Sequence, residues 1–222
     1  MYRVFDPFSR KPYTIDEWIK NCGNRRVGEC LVCGEEVSLK ADRSELRTTH
    51  FAHAAGSACP TIRDNHKPFQ HLQSSEIDLE NATKIKQYVV DQAFQIYEKC
   101  KLFAEDLNLR EFREMISCAD EFGVWKYKGL TTVYIPYILL TCREMFLKKD
   151  GGKNRTADFF FAFDPNLSSV DELWIFPEKK KQRIWKIYPG NGEFVEYPVT
   201  ASFEPIPNWF EYTLTFVKEK LG

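Results

Sequence analysis

The sequence predicts an α+β protein in two parts: a small N-terminal module to about residue 70 and a larger α+β domain over 71–222. Three observations predict it. Cysteines and histidines crowd into one stretch of the first part, where a large apolar core is missing. From about 76 to 121 apolar residues recur at spacings of three and four, the period of one helix face. From about 130 to 200 short β-branched and aromatic runs alternate with Pro, Gly and Asn turns, the pattern of an antiparallel sheet.

In the first part, 2–5 and 12–15 read as strands joined by a turn from Asp6-Pro7 to Lys11, and Asp16 caps a short helix through Asn21. Cys30-Leu-Val-Cys33-Gly34 then reads as a knuckle. Strands over 35–40 and 46–51 follow, and a loop carries His53 and Cys59. Two thiolates separated by two residues, with His and Cys within about thirty residues, have the ligand spacing of a tetrahedral zinc site. The short gap lets one turn present both sulfurs to one ion, and Gly34 permits the left-handed backbone such turns need. Cys30 and Cys33 form the pair and Cys59 is the third ligand. His50 and His53 compete for the fourth place, with His53 favoured because it lies nearer Cys59; the other is expected to hydrogen-bond a thiolate or the backbone. Four protein ligands leave no position for water, so the metal is expected to be structural and the module zinc-ribbon-like. Residues 60–75 read as a linker.

In the second part, Ile85, Val89, Ile96, Cys100 and Phe103 mark one helix over 76–103. Asn108 with Glu111 has capping-box spacing and opens a second helix to about 121. The apolar stretch 130–147 is interrupted by Pro136, which suits a strand, a break, and a second strand or short helix. Strands are expected over 157–163, 170–176, 182–188 and 193–199, and a closing helix begins at Asn208 with Glu211 three residues on. Cys100, Cys118 and Cys142 sit in apolar patterns and read as core thiols; Cys22 is a substitute ligand.

The formal net charge of −1 gives no global electrostatic reason to bind nucleic acid or membrane. Basic residues nevertheless gather near the cysteines, and Arg25, Arg26, Arg43, Arg47 and Lys67 are the candidates for contacts to a nucleic-acid backbone. Aromatic residues beside cations, such as Phe8 near Arg10 and Trp185 near Arg183, suit either base stacking or a core, with the core favoured at strand spacing. No apolar run approaches the roughly 18 residues of a membrane helix, and the N-terminus has no secretory signal. A cytoplasmic protein is expected, with reduced thiols and no membrane partner.

The run from an initial Tyr-x-Val-x-Asp strand, through Cys30, Cys33, Gly34 and Val37, to His50, Phe51, His53 and Cys59 resembles the N-terminal zinc module of the competence protein CoiA-like family. The resemblance covers roughly residues 1–60, and Arg47 stands where those proteins often carry a basic residue. In that family the module precedes a nuclease domain of the PD-(D/E)xK type, so the resemblance implies a bacterial or phage DNA-handling setting. Such a nuclease needs an Asp and a Glu on adjacent strands to hold Mg²⁺, and a Lys two residues after the Glu. Asp158, Glu178 and Lys180 are the matching candidates, but Pro177 to Lys181 reads as a turn between strands. The expectation is therefore a zinc-stabilised, non-catalytic protein that recognises nucleic acid or a protein partner in DNA processing or defence. A Mg²⁺-dependent nuclease is the first alternative and a protein-interaction subunit the second.

Overall fold

The computed structural model describes residues 1–44, 46–62, 65, 74, 76–151, 154–178, 182–189, 193–200 and 208–221. The fold is mixed α and β, with seven α-helices and two sheets among the described residues. The chain divides into two compact units. One comprises Met1–His66 with Ile187–Val195, a stretch the sequence reading places in the second domain; the other comprises Lys67–Lys186 with Glu196–Gly222.

In the first unit, β1 (Arg3–Asp6), β2 (Lys11–Thr14), β3 (Val27–Glu29), β4 (Glu36–Lys40) and β5 (His50–His53) form one antiparallel sheet in the order β2-β1-β3-β4-β5. Helix α1 (Ile15–Asn21) follows β2. Its cap is Thr14 rather than Asp16: the Thr14 side chain accepts from Glu17 N–H while the Glu17 carboxylate accepts from Thr14 N–H. The core is a layer of alternate strand residues, Val4, Val37, Leu39 and Phe51, closed by Trp18 from α1, all nearly inaccessible to solvent. Trp18 lies edge-on to Phe51, with ring centroids 5.3 Å apart. It also covers Gly28, where a Cβ would stand 3.0 Å from the indole and 3.1 Å from Val4, so the strand needs a residue without a side chain there. Pro12 lies on the edge strand β2, where its missing N–H costs no ladder bond.

Two differences from the sequence reading bear on function. The strand β3 is added, and the last strand begins at His50 rather than 46. The delay has a local cause: the Ser44 hydroxyl accepts the N–H groups of Leu46 and Arg47 at 3.3 and 3.1 Å, which turns the chain out as a loop before β5 begins.

From Lys67 onward, α2 (Leu79–Asp91), α3 (Ala93–Phe103), α4 (Leu109–Phe122) and α5 (Ile135–Cys142) precede β6 (Phe160–Ala162), α6 (Glu172–Ile175), β7 (Arg183–Tyr188), β8 (Glu193–Pro198) and α7 (Glu211–Leu221); of these, only Ile187–Tyr188 of β7 and Glu193–Val195 of β8 belong to the first unit. Strands β6-β7-β8 form the second sheet in that order. The single helix expected over 76–103 breaks at Gln92, whose φ of −113° and ψ of 20° leave the helical region. Of the alternatives for 130–147, the structure takes the short helix, α5, preceded by a 3-10 turn over Thr132–Tyr134 rather than a strand. All eight of its residues are buried, and Pro136 occupies its first turn, where its missing N–H has no partner to lose. An all-apolar run of this length reads equally as a buried strand or a buried helix, and packing against α3 and α4 selects the helix. Residues 170–176 likewise contain the short helix α6 instead of a strand. Cys100 and Cys142 are buried as expected, and Cys118 is half-buried. Among the described residues no helix is long and apolar enough to cross a membrane.

Candidate metal centre

Strand pairing assembles the cluster. Residue Cys30 directly follows β3, and Cys33 precedes β4 by three positions, so the β3–β4 turn carries both thiols. That turn is tight. Cys30 N–H donates to the Glu35 carbonyl at 2.8 Å, and Gly34 N–H donates to the Cys30 carbonyl at 2.9 Å. The Gly34 φ is +77°, the left-handed conformation its sequence position calls for. Pairing of β4 with β5 places His53 opposite Val37, beside the turn, and His50 opposite Lys40 at the far end. Three strand residues separate the two imidazoles by roughly 10 Å along the chain and put them on opposite faces. His53 therefore joins the thiols. His50 does not, and its Nδ1 lies 2.9 Å from the Thr48 carbonyl. Cys59 enters from the following loop, which Asn65 ties down through bonds to the Ser57 and Cys59 carbonyls at 2.6 and 2.9 Å.

The four donor atoms of Cys30, Cys33, His53 and Cys59 lie within 4.8 Å of one another and can hold a metal ion. The Cys30 and Cys59 sulfurs are 3.8 Å apart, and the Cys33 sulfur is 3.4 Å from His53 Nε2. A tetrahedral ion with metal–sulfur bonds of about 2.3 Å and metal–nitrogen bonds of about 2.05 Å requires separations of roughly 3.8 and 3.6 Å. Those two separations match a tetrahedral ion, and the remaining pairs stay within 4.8 Å. Val32 N–H donates to the Cys30 sulfur at 3.4 Å, and the Thr61 hydroxyl lies 3.1 Å from the Cys59 sulfur. Both contacts orient sulfur and spread thiolate charge. Without an ion the groups polarise one another. Hydrogen bonds from Cys30 and Cys33 hold the Cys59 thiol far below its ordinary range, and hydrogen bonding to Cys30 and Cys59 pushes Cys33 far above. Burial would lower the His53 imidazole, but hydrogen bonds to Cys30 and Cys59 outweigh it and raise it to about 10. Cys22 closes α1 and stands outside the cluster.

The basic candidates separate into two kinds. Arg25 forms a fork on Asp6, with Nη1–Oδ1 at 2.5 Å and Nη2–Oδ2 at 3.0 Å, and Arg26 forms one on Asp42 at 2.5 and 2.6 Å. Both guanidiniums are committed to the fold: Asp6 also accepts from Phe8 and Ser9 N–H, so the Arg25 fork pins the β1–β2 turn. Arg43 and Arg47 are exposed on the β4–β5 loop, and neither forms an ion pair among the described residues. Lys67 lies outside the described residues. Of the aromatics, Trp185 is core, whereas Phe8 is 80 % exposed with the Arg25 guanidinium 5.0 Å from its ring centre.

The Asp6 fork sets a pH dependence. Burial would raise the Asp6 carboxyl, but the Arg25 guanidinium, with Ser9 and Phe8, outweighs it and holds it at about 2, below the ordinary 3.8. The folded form therefore binds this proton more weakly than the unfolded one. The contribution of the fork is complete above the ordinary value and is lost as pH falls through about 2. Acid unfolding of the first unit, followed by tryptophan fluorescence, is expected to shift to higher pH in Asp6→Asn, where the fork is already broken. Coincident acid profiles would refute the assignment.

The nuclease candidates Asp158 and Glu178 do not stand on adjacent strands. Asp158 lies just before β6, and its carboxylate accepts Lys148 N–H at 2.8 Å across the Phe146–Phe159 bridge. Glu178 is exposed in the turn after α6, not in a strand, because 170–176 forms no strand to place it beside β6. Lys180 lies outside the described residues. Among the described residues, the Cys/His cluster is the single group of three or more His, Cys, Asp or Glu side chains placed to hold a metal. The sequence reading missed the two carboxylates that occupy Arg25 and Arg26, because they stand 19 and 16 residues away.

The fold and cluster define a class: a two-unit α+β protein whose N-terminal sheet carries a Cys₃His set able to hold a metal ion. No family model, no curated protein and no solved structure matches the chain.

Proposed function

We propose that the N-terminal unit is a zinc-stabilised recognition module for nucleic acid, acting without catalysis in the bacterial or phage DNA-processing or defence setting that its resemblance to the CoiA-like module implies. The observation that carries the reading is the closed donor set. Three thiols and one imidazole gathered within 4.8 Å suit Zn²⁺, and four protein ligands leave no position for a reacting water. An ion so enclosed builds a surface instead of performing chemistry. That surface includes a loop on which Arg43 and Arg47 stand exposed, and both are available to phosphate.

The test uses the full chain. Metal analysis is expected to give one zinc per chain. Labelled oligonucleotides are expected to bind with an affinity that falls steeply as salt rises, because phosphate contacts release counterions. With Mg²⁺ present, a denaturing gel is expected to show intact substrate. A zinc-free protein, a salt-independent binding curve, or cleavage would each defeat the reading.

A further inference from the structure

A groove of about 500 Å³ opens between the C-terminal end of α1 and the end of β4. Trp18 and Leu39 line it but are almost wholly buried, so the apolar side chain it presents is the half-exposed Ile19. Its rim is cationic: Arg25, Arg26 and Arg43 line it against one carboxylate, Asp42. The fork onto Asp42 fixes Arg26, whose Nη2 also donates to the Leu39 carbonyl at 3.3 Å. Arg25 is occupied by Asp6 and by the Cys22 carbonyl. Two groups make no hydrogen bond or ion pair among the described residues, the Arg43 guanidinium, which feels the Asp42 carboxylate only at longer range, and the Asn24 side-chain amide. Neither belongs to the metal centre.

We infer that this groove receives one nucleotide unit of a single-stranded nucleic acid, with Arg43 on the phosphate, Asn24 on a base edge and Ile19 against the base face. The inference rests on the reading of the unit as a nucleic-acid recognition module and places the contact within it. Three arguments support it. With Asp6 on Arg25 and Asp42 on Arg26, one guanidinium, that of Arg43, is left in excess, which favours an anion. The volume is that of a small-ligand site rather than a broad protein interface. An exposed apolar side chain, Ile19, beside a cationic rim suits a base attached to a phosphate, and a base stacked inside a duplex cannot turn into such a groove.

The test is fluorescence anisotropy with a labelled twelve-residue oligothymidylate and the zinc-loaded full chain, over a range of salt. Arg43→Ala is expected to weaken binding about tenfold and to lower the salt slope by about 0.7, the loss of one phosphate contact on a single strand. Asp42→Asn removes the one carboxylate from the rim and is expected to tighten binding several-fold, a gain that misfolding cannot produce. A duplex of the same sequence is expected to bind more weakly. Wild-type binding that neither variant alters would overturn the groove and leave the broader reading standing. Equal affinity for the duplex, or an Arg43-dependent preference for a polyglutamate peptide, would also overturn it. Failure of the wild type to bind any oligonucleotide would remove both.

Discussion

Stripping zinc from the Cys30–Cys33–His53–Cys59 cluster is expected to abolish amide protection from Val27 through Ile62 while α4 and α5 remain protected. The reason lies in what the ion joins. Three separate pieces of chain supply the donors: the β3–β4 turn, the end of β5 and the 54–62 loop. The loop contains turns but no helix or strand, and few bonds anchor it apart from Cys59: Asn65 to two carbonyls, and Ser57 to the Glu35 carboxylate. Cys30 and Cys59 are 2 % and 1 % exposed, so their thiolates have no water to turn to when the ion leaves. Structural zinc sites in small peptides are worth about 10–16 kcal/mol of apparent binding energy at neutral pH, far more than a five-stranded sheet of short strands can spare. Helices α4 and α5 pack against each other, and Phe112, Met115 and Ile116 of α4 and Ile138 with its neighbours in α5 are buried. Cys59→Ser should reproduce the effect of a chelator, and His50→Ala should not, because His50 stands at the other end of β5. The measurement is hydrogen exchange read by mass spectrometry, with zinc content determined on each variant. Full protection of 27–62 in zinc-free protein would refute a structural role for the cluster.

The metal centre was legible because its constraints are local. A two-residue gap and a glycine in the left-handed region dictate the knuckle within five positions, and strand parity separates His53 from His50 once the register is known. The arginines were legible only as charges. Whether a guanidinium faces solvent or a carboxylate depends on which strands meet, and the pairing of β3 with β4 that brings Arg26 to Asp42 leaves no local mark. The helix α5 was hidden for a different reason. A continuous apolar run carries no periodicity, so its eight buried residues fit strand and helix alike until neighbouring helices decide. The placement of Glu178 follows from the same kind of error. Reading 170–176 as a strand put that residue at a hairpin tip, whereas α6 leaves it in a helix-to-strand connection.

Removing the carboxylate of Glu111 is expected to destabilise the second unit by about 3–5 kcal/mol, the usual cost of leaving a buried charge without its partner. No pattern in the sequence announces this residue beyond its place in a capping box, yet it joins three parts of the chain. Its carboxylate accepts from Asn108 N–H at 3.1 Å and so caps α4. The same two oxygens receive the fork of Arg155, at 2.6 and 3.2 Å, and Lys149 Nζ at 3.0 Å. Arg155 is 1 % exposed, and its guanidinium also faces the Phe146 and Phe159 rings at 5.4 and 5.7 Å. Nearby, the fully buried Lys186 ammonium meets the Glu105 carboxylate and donates to the Phe103 carbonyl at 3.1 Å; burial lowers its proton affinity despite that partner. Glu111→Ala therefore strands a guanidinium that cannot lose its proton and cannot reach water. Glu111→Gln keeps the shape and the cap but not the charge, and should cost less. The paired change Glu111→Leu with Arg155→Met replaces both charges by apolar volume and should recover most of the loss, because a buried ion pair gives back in attraction little more than it spends in dehydration. Urea unfolding of the second unit, followed by exchange protection of α4 amides, distinguishes these outcomes. A loss under about 1 kcal/mol in Glu111→Ala, or a double variant no better than the single, would show that water reaches Arg155 and that the network is peripheral to the fold.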